Sequence, residues 1–126
     1  MALNTITRWK DGVAVVYVSG AMFFGEESAA LPILVKDLLN KSGKIVFDLG
    51  NLTHIDSGGV GALVAACASA RKAGGDIKLA NLGDHTREVL RITKLVTVFQ
   101  IFDKTEDAVA FFNMATATKQ LSLMGT

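Results

Sequence analysis

One cysteine, one proline and one tryptophan occur among the 126 residues, and neither charge sign is in excess. The lone cysteine, Cys67, excludes an intrachain disulfide. Its helical neighbours are Val60, Leu63 and Val64, so a buried, reduced thiol is expected. Thirteen Lys and Arg stand against twelve Asp and Glu, a net charge of +1, and neither sign forms a block. That balance excludes the basic stripe of a direct nucleic-acid grip and an acidic tail, and it suits docking on other proteins. Long apolar runs are also missing. The stretch from Gly58 to Ala68 is far shorter than the ~20 residues that cross a bilayer, and the start, Met-Ala-Leu-Asn-Thr, lacks a basic segment followed by an apolar one. A cytoplasmic protein without membrane contact is the expected setting.

The apolar content is ample. Half of the residues are hydrophobic, enough for one domain with a substantial core at this length. Thr5–Trp9 and Val13–Val18 flank Lys10-Asp11-Gly12, and the Asp-Gly pair marks a β-hairpin. From Glu26 to Asn40, Leu31, Leu34, Val35, Leu38 and Leu39 recur at helical spacing, with Pro32 expected in the first turn. Lys44–Leu49 reads as a strand buried on both faces, followed by a loop from Gly50 to Asp56 and a helix from Ser57 to Ala73, closed by Gly74-Gly75. A strand over Ile77–Ala80, a helix capped by Asp84, a strand over Val98–Phe102 and a helix from Thr105 through Phe112 complete the pattern. The alternation predicts a single α/β domain over 1–112, a mixed sheet covered by about four helices. Residues 113–126 form a C-terminal tail, either frayed or a helical arm.

The junction Ile55-Asp56-Ser57-Gly58-Gly59-Val60-Gly61 is the most informative segment. A serine there starts a helix, where backbone N–H groups lack intrahelical acceptors and the helix dipole is positive. A phosphate on Ser57 would therefore be tolerated. Asp56 is expected to cap the helix. The glycines at 58, 59 and 61 serve either tight turning or the close approach of a partner backbone.

Element order and this segment resemble the STAS family, named for sulfate transporters and anti-sigma-factor antagonists, and are most like its stand-alone bacterial antagonists. The likeness runs from about Thr5 to Phe112. It includes Phe47-Asp48-Leu49, Gly74-Gly75, Leu79-Ala80-Asn81-Leu82 and Leu90-Arg91-Ile92-Thr93-Lys94-Leu95. In that family the segment is Asp-Ser-Ser-Gly, an aliphatic residue and Gly, and its first serine is phosphorylated. The resemblance places that site at Ser57. It implies a non-enzymatic module that binds an anti-sigma factor with Ser/Thr kinase activity while unphosphorylated, is released by phosphorylation, and is restored by a metal-dependent Ser/Thr phosphatase. It implies no cofactor. Two departures stand out: Gly58 replaces the second serine, and Gly20-Ala21-Met22-Phe23-Phe24 occupies the place of an acidic residue that Glu26 or Glu27 could supply. The expected partner surface is Asp56, Ser57, Gly58, Gly59, Val60 and Gly61, extended by Phe23, Phe24 and Glu26. Whether the chain forms a homodimer stays open.

Other readings use the same residues. The chain could be a constitutive scaffold or subunit in a signalling or lipid-transport assembly, with Asp-Ser serving only as a cap. An enzyme is disfavoured, because no nucleophile, base and orienting group fall together and the Walker lysine and dinucleotide fingerprint are missing. His54 and His85 read as surface or loop histidines without metal-ligand spacing. Asp48, ending a buried strand, is expected to meet a backbone N–H.

Overall fold

In the computed structural model, residues 3–23 and 26–123 are described. The hairpin forms as the Asp-Gly signal requires. Strand β1 (Leu3–Lys10) pairs antiparallel with β2 (Val13–Met22) across a turn in which Asp11 and Gly12 have φ of 52° and 80°. Two positive φ values in a two-residue loop match the right-handed twist of the strands. Helix α1 (Glu26–Leu39) returns the chain to β3 (Lys44–Ile55), α2 (Ser57–Lys72) to β4 (Asp76–Ala80), and α3 (Asp84–Ile92) to β5 (Ile101–Phe102); α4 (Thr105–Leu123) follows. The sheet order is β1-β2-β3-β4-β5, and every pair after the hairpin is parallel, as helical crossovers dictate.

Alternation along the strands builds two cores. Val16, Val18, Ile45, Phe47, Leu49, Ile77 and Leu79 pack with Leu31 and Val35 of α1, Leu63 and Cys67 of α2 and Leu90 of α3. Val13, Val15, Val46 and Ala80 on the opposite face pack with Ala108, Val109 and Phe112 of α4. Cys67 lies inside the first core; burial pushes its thiol up to about 12, so it stays an unreactive thiol.

Two buried polar groups on the α4 face carry much of the long-range order. Asp48 does meet a backbone N–H, that of Gly50 at 3.0 Å, and it also accepts from Asn81 Nδ2 at 3.2 Å and from the Thr105 hydroxyl at 2.6 Å. One carboxylate thus joins β3, the residue after β4 and the start of α4. Lys78, on β4, lies under Phe111 and Phe112, with Nζ at 5.0 and 4.5 Å from the ring centroids, and donates to Asp76 and Gln100. Burial alone would raise the Asp76 carboxyl, but hydrogen bonds from Arg71 and Lys78 outweigh it and hold the group below its usual value.

Several expectations are corrected. Gly50–Asp56 is not a loop: β3 continues to Ile55 because β2 continues to Met22, and Ser19 to Met22 pair with Asn51 to Ile55 past irregularities near Val18 and Gly20. Pro32 is not in the first turn but inside α1, on its exposed side. Gly83, not Asp84, caps α3, and Asp84 falls in the first turn. The last strand is confined to Ile101–Phe102, since Val98 N–H turns back to Leu95 O. Helix α2 ends as its glycines suggest: Gly74, at φ +87°, and Gly75 return N–H bonds to Arg71 and Ala70. Helix α4 runs through residues 113–123, so that part of the tail is helical, and residues 124–126 lie outside the described region.

Replacing Asp48 by Ala leaves the buried Thr105 hydroxyl without its acceptor, while Gly50 and Asn81 are exposed and can turn to water; an unmet buried group costs ~1–3 kcal/mol. Urea unfolding is expected to show a loss of roughly 1–3 kcal/mol for Asp48→Ala, with Asp48→Asn recovering part of it.

Candidate functional site

Ser57 is the first residue of α2 and is exposed. Its position is set by the residues around it. Asp56, with extended backbone at φ −110° and ψ −179°, caps the helix by accepting the Gly59 N–H at 2.8 Å, while its carbonyl accepts from Val60 at 3.0 Å. Its own N–H reaches Met22 O at 3.4 Å, which ties the helix start to the end of β2. With the third helical N–H occupied by the cap, those of Ser57 and Gly58 remain without intrahelical acceptors.

The glycines divide by role. A Cβ on Gly59 would stand 2.1 Å from Met22 O and 2.9 Å from Ile55 Cγ1, so the close approach is to the chain's own backbone and not to a partner's. A Cβ on Gly61 meets nothing within 4 Å, and this residue is exposed. Gly58 is half-buried. Val60, expected at the partner surface, is fully buried in the first core, and Gly59 is buried as well. The turn therefore presents Asp56, Ser57 and Gly61, with Gly58 partly open. Phe23, at the end of β2, is half-buried and lies beside His54, ring centroids 6.2 Å apart. The expectations for Phe24 and for the Glu26 and Glu27 side chains fall outside what is described.

Sequence spacing missed one juxtaposition. His85 of α3 lies 6.3 Å from His54 between ring centroids, so the half-buried Phe23 and the exposed His54 and His85 form an aromatic row whose middle member, His54, is three residues before Ser57. The Thr53 hydroxyl donates its one hydrogen to Gly20 O at 2.8 Å, so its oxygen accepts from His54 Nδ1 at 3.0 Å. That bond requires a proton on His54 Nδ1. Among the described residues no three His, Cys, Asp or Glu side chains gather as a metal site, and no helix is long and apolar enough to cross a membrane.

Residues 4–108 match the family model of the STAS domain. The chain belongs to the STAS family. BtrV of Bordetella bronchiseptica, a protein assigned as an anti-sigma factor antagonist, is 26% identical over 105 residues, covering 83% of this chain and 90% of that protein. The crystal structure of an anti-sigma factor antagonist from Mycobacterium paratuberculosis superposes with a TM-score of 0.72 at 26% identity, over 86% of this chain and 92% of the other. The Bacillus cell-fate determinant SpoIIAA in its phosphorylated form shares the fold, with a TM-score of 0.65 at 16% identity over 88% and 99% of the two chains. Two of these relatives, each covered over nine-tenths of its length or more, are named as anti-sigma factor antagonists.

The two exposed-to-buried extremes of the turn respond oppositely to the same change. Gly59→Ala forces the first turn of α2 off Met22 and is expected to cost ~2 kcal/mol or more, as overpacking does. Gly61→Ala enters open space in a helix and should stabilise by up to ~1 kcal/mol. Thermal unfolding of the two variants reads both signs.

Proposed function

We propose that this STAS protein is an anti-sigma factor antagonist, without enzymatic activity, whose binding is switched at Ser57. The observation that carries the reading is an exposed serine hydroxyl at the first position of α2, on a turn anchored by the Asp56 cap and by Gly59 against Met22. A protein kinase needs such a hydroxyl in reach, and the free N–H groups at the helix start tolerate the product phosphate. The relatives' names point to an anti-sigma factor as partner, and the phosphorylated form of SpoIIAA shows that this fold can carry the modification. Asp56 acts by capping, since its carboxylate holds the Gly59 N–H.

The mechanism needs no refolding. A serine phosphate brings roughly −1.5 to −2 charges in place of a neutral hydroxyl. Against a partner carboxylate ~6 Å away at an effective dielectric of about 20, repulsion is on the order of 5 kcal/mol before salt screening. Since ~1.4 kcal/mol is a factor of ten in affinity, even half of that repulsion weakens binding by roughly a hundredfold. The unphosphorylated form binds an anti-sigma factor that is itself a Ser/Thr kinase; phosphorylation releases the antagonist, and a metal-dependent phosphatase regenerates it.

One observation favours a second reading. Gly58 supplies no hydroxyl beside Ser57, which suits a constitutive scaffold in a signalling or lipid-transport assembly that uses the same surface without a switch. Binding assays with the anti-sigma factor kinase separate the two. For the switch, Ser57→Ala retains affinity and Ser57→Asp loses roughly a hundredfold, and peptide mapping of protein isolated with phosphatases inhibited finds phosphate on Ser57. Equal binding by both variants, with Ser57 unmodified in growing and stressed cells, assigns the scaffold.

A further inference from the structure

Among the described residues the sheet has one long edge, β1, paired only with β2. Over Leu3–Lys10 it carries no proline and its register with β2 is unbroken, so neither proline, bulge nor short length protects it, and its charges, Arg8 and Lys10, sit at one end. The two-residue turn makes Lys10 and Val13 a hydrogen-bonded pair, so by alternation Asn4, Ile6, Arg8 and Lys10 spend their backbone groups on β2. Leu3, Thr5, Thr7 and Trp9 direct their N–H and C=O groups outward. The same four side chains lie on the α1 side of the sheet. There an apolar groove of about 440 Å³ runs between β1 and α1, lined by Leu3, Thr5, Ala30, Ile33 and Leu34 among others. Ile33 is 74% exposed, and Ile6 and Trp9 are 59% and 48% exposed.

From these features we infer that β1 is a self-pairing edge, joining a second copy of this chain antiparallel about Ile6. In antiparallel strands, directly opposed residues both direct their groups into the new ladder or both direct them away. A two-fold axis on Ile6 obeys this rule and uses the strand from Leu3 to Trp9. It sets Thr5 against the partner's Thr7 and Leu3 against the partner's Trp9 in hydrogen-bonded pairs, with Ile6 against its own copy. The Leu3 and Trp9 pair lies on the α1 side, so each indole enters the groove beside Leu3, Ala30 and Ile33 of the other copy. Because the axis is perpendicular to the sheet, both α1 helices lie on one side and Ile33 of each faces the seam. Charge agrees: the cations Arg8 and Lys10 sit at one end of the strand, and antiparallel pairing sets Arg8 against Asn4 and keeps the two copies' cations apart. The contact is isologous, so it closes as a dimer and does not propagate.

Sedimentation equilibrium on the full chain tests this, with folding of each variant checked by thermal melting. The wild type is expected to be a dimer. Thr7→Pro deletes one outward N–H and no bond to β2, and an edge strand accepts proline there; Trp9→Ser empties the groove. Each should raise the dimer dissociation constant roughly tenfold or more. A covalent readout fixes the register. Ile6→Cys places two thiols on a non-hydrogen-bonded pair ~4.5 Å apart at Cα, within bridging range, and should oxidise to a disulfide-linked dimer, whereas Thr5→Cys sets them about 8 Å apart and should not. The buried Cys67 stays out of this chemistry. A wild-type monomer at millimolar concentration overturns the inference, including the case in which the edge binds another protein's peptide. So does a dimer indifferent to Thr7→Pro and Trp9→Ser, or one crosslinked through Thr5→Cys but not Ile6→Cys.

Discussion

The seating of the first turn of α2 on the Met22 carbonyl is the contact on which the rest of the site depends. It exists only because residue 59 has no side chain: a Cβ would lie 2.1 Å from that oxygen. To reach it, β2 must run on to Met22, and β3 must run with it to Ile55. The helix then starts immediately, with Asp56 as the only residue between strand and helix, and its carboxylate and N–H serve as cap and tie. Ser57 is exposed as the consequence of this geometry, since Ile55 turns into the core before it and Val60 after it. A side chain so presented can be modified without disturbing the packing beneath.

The two faces of the sheet do different work. The face under α1, α2 and α3 is almost wholly apolar and supplies most of the burial. The α4 face is smaller and carries the buried polar groups, Asp48 and Lys78, each held by several partners. Buried groups of this kind add little net stability when satisfied and cost much when a partner is lost, so their effect is to fix which elements meet. Asp48 registers α4 against the sheet through Thr105.

What could be read from the residues depended on how local its cause is. The hairpin was legible because an Asp-Gly turn is a two-residue signal, and the end of α2 because Gly74-Gly75 is one as well. The cap at Asp56 follows from residue type and position. The far half of β3 was not legible: Gly50, Asn51, Thr53 and His54 are exposed and polar, and they form a strand only because β2 pairs with them there while β4 has already ended at Ala80. Val98 misled in the opposite direction, since its β-branched neighbourhood lies in a turn closed by Leu95. Pro32 was misplaced because propensity sets it at a helix start, whereas an exposed helix face tolerates it further in. The meeting of His54 with His85 and of Asp48 with Thr105 are contacts between elements, and no spacing in the chain encodes them.

Strand β2 lies between the β1 edge and the turn that carries Ser57, and its construction keeps the two independent. On one side it holds β1, whose outer edge is available for pairing; on the other it holds β3, and its last residue supports Gly59. Its residues from Val13 to Val16 are fully buried between the two cores, and close-packed interiors shift between discrete arrangements or not at all. A ligand moves such an equilibrium only by binding its two states unequally. A phosphate on Ser57 would act on solvent and partner at the tip of α2, and pairing at β1 would use backbone groups that already point away from β2. Neither event changes the contacts of the strand between them, so two copies joined at β1 would present two Ser57 sites that switch separately.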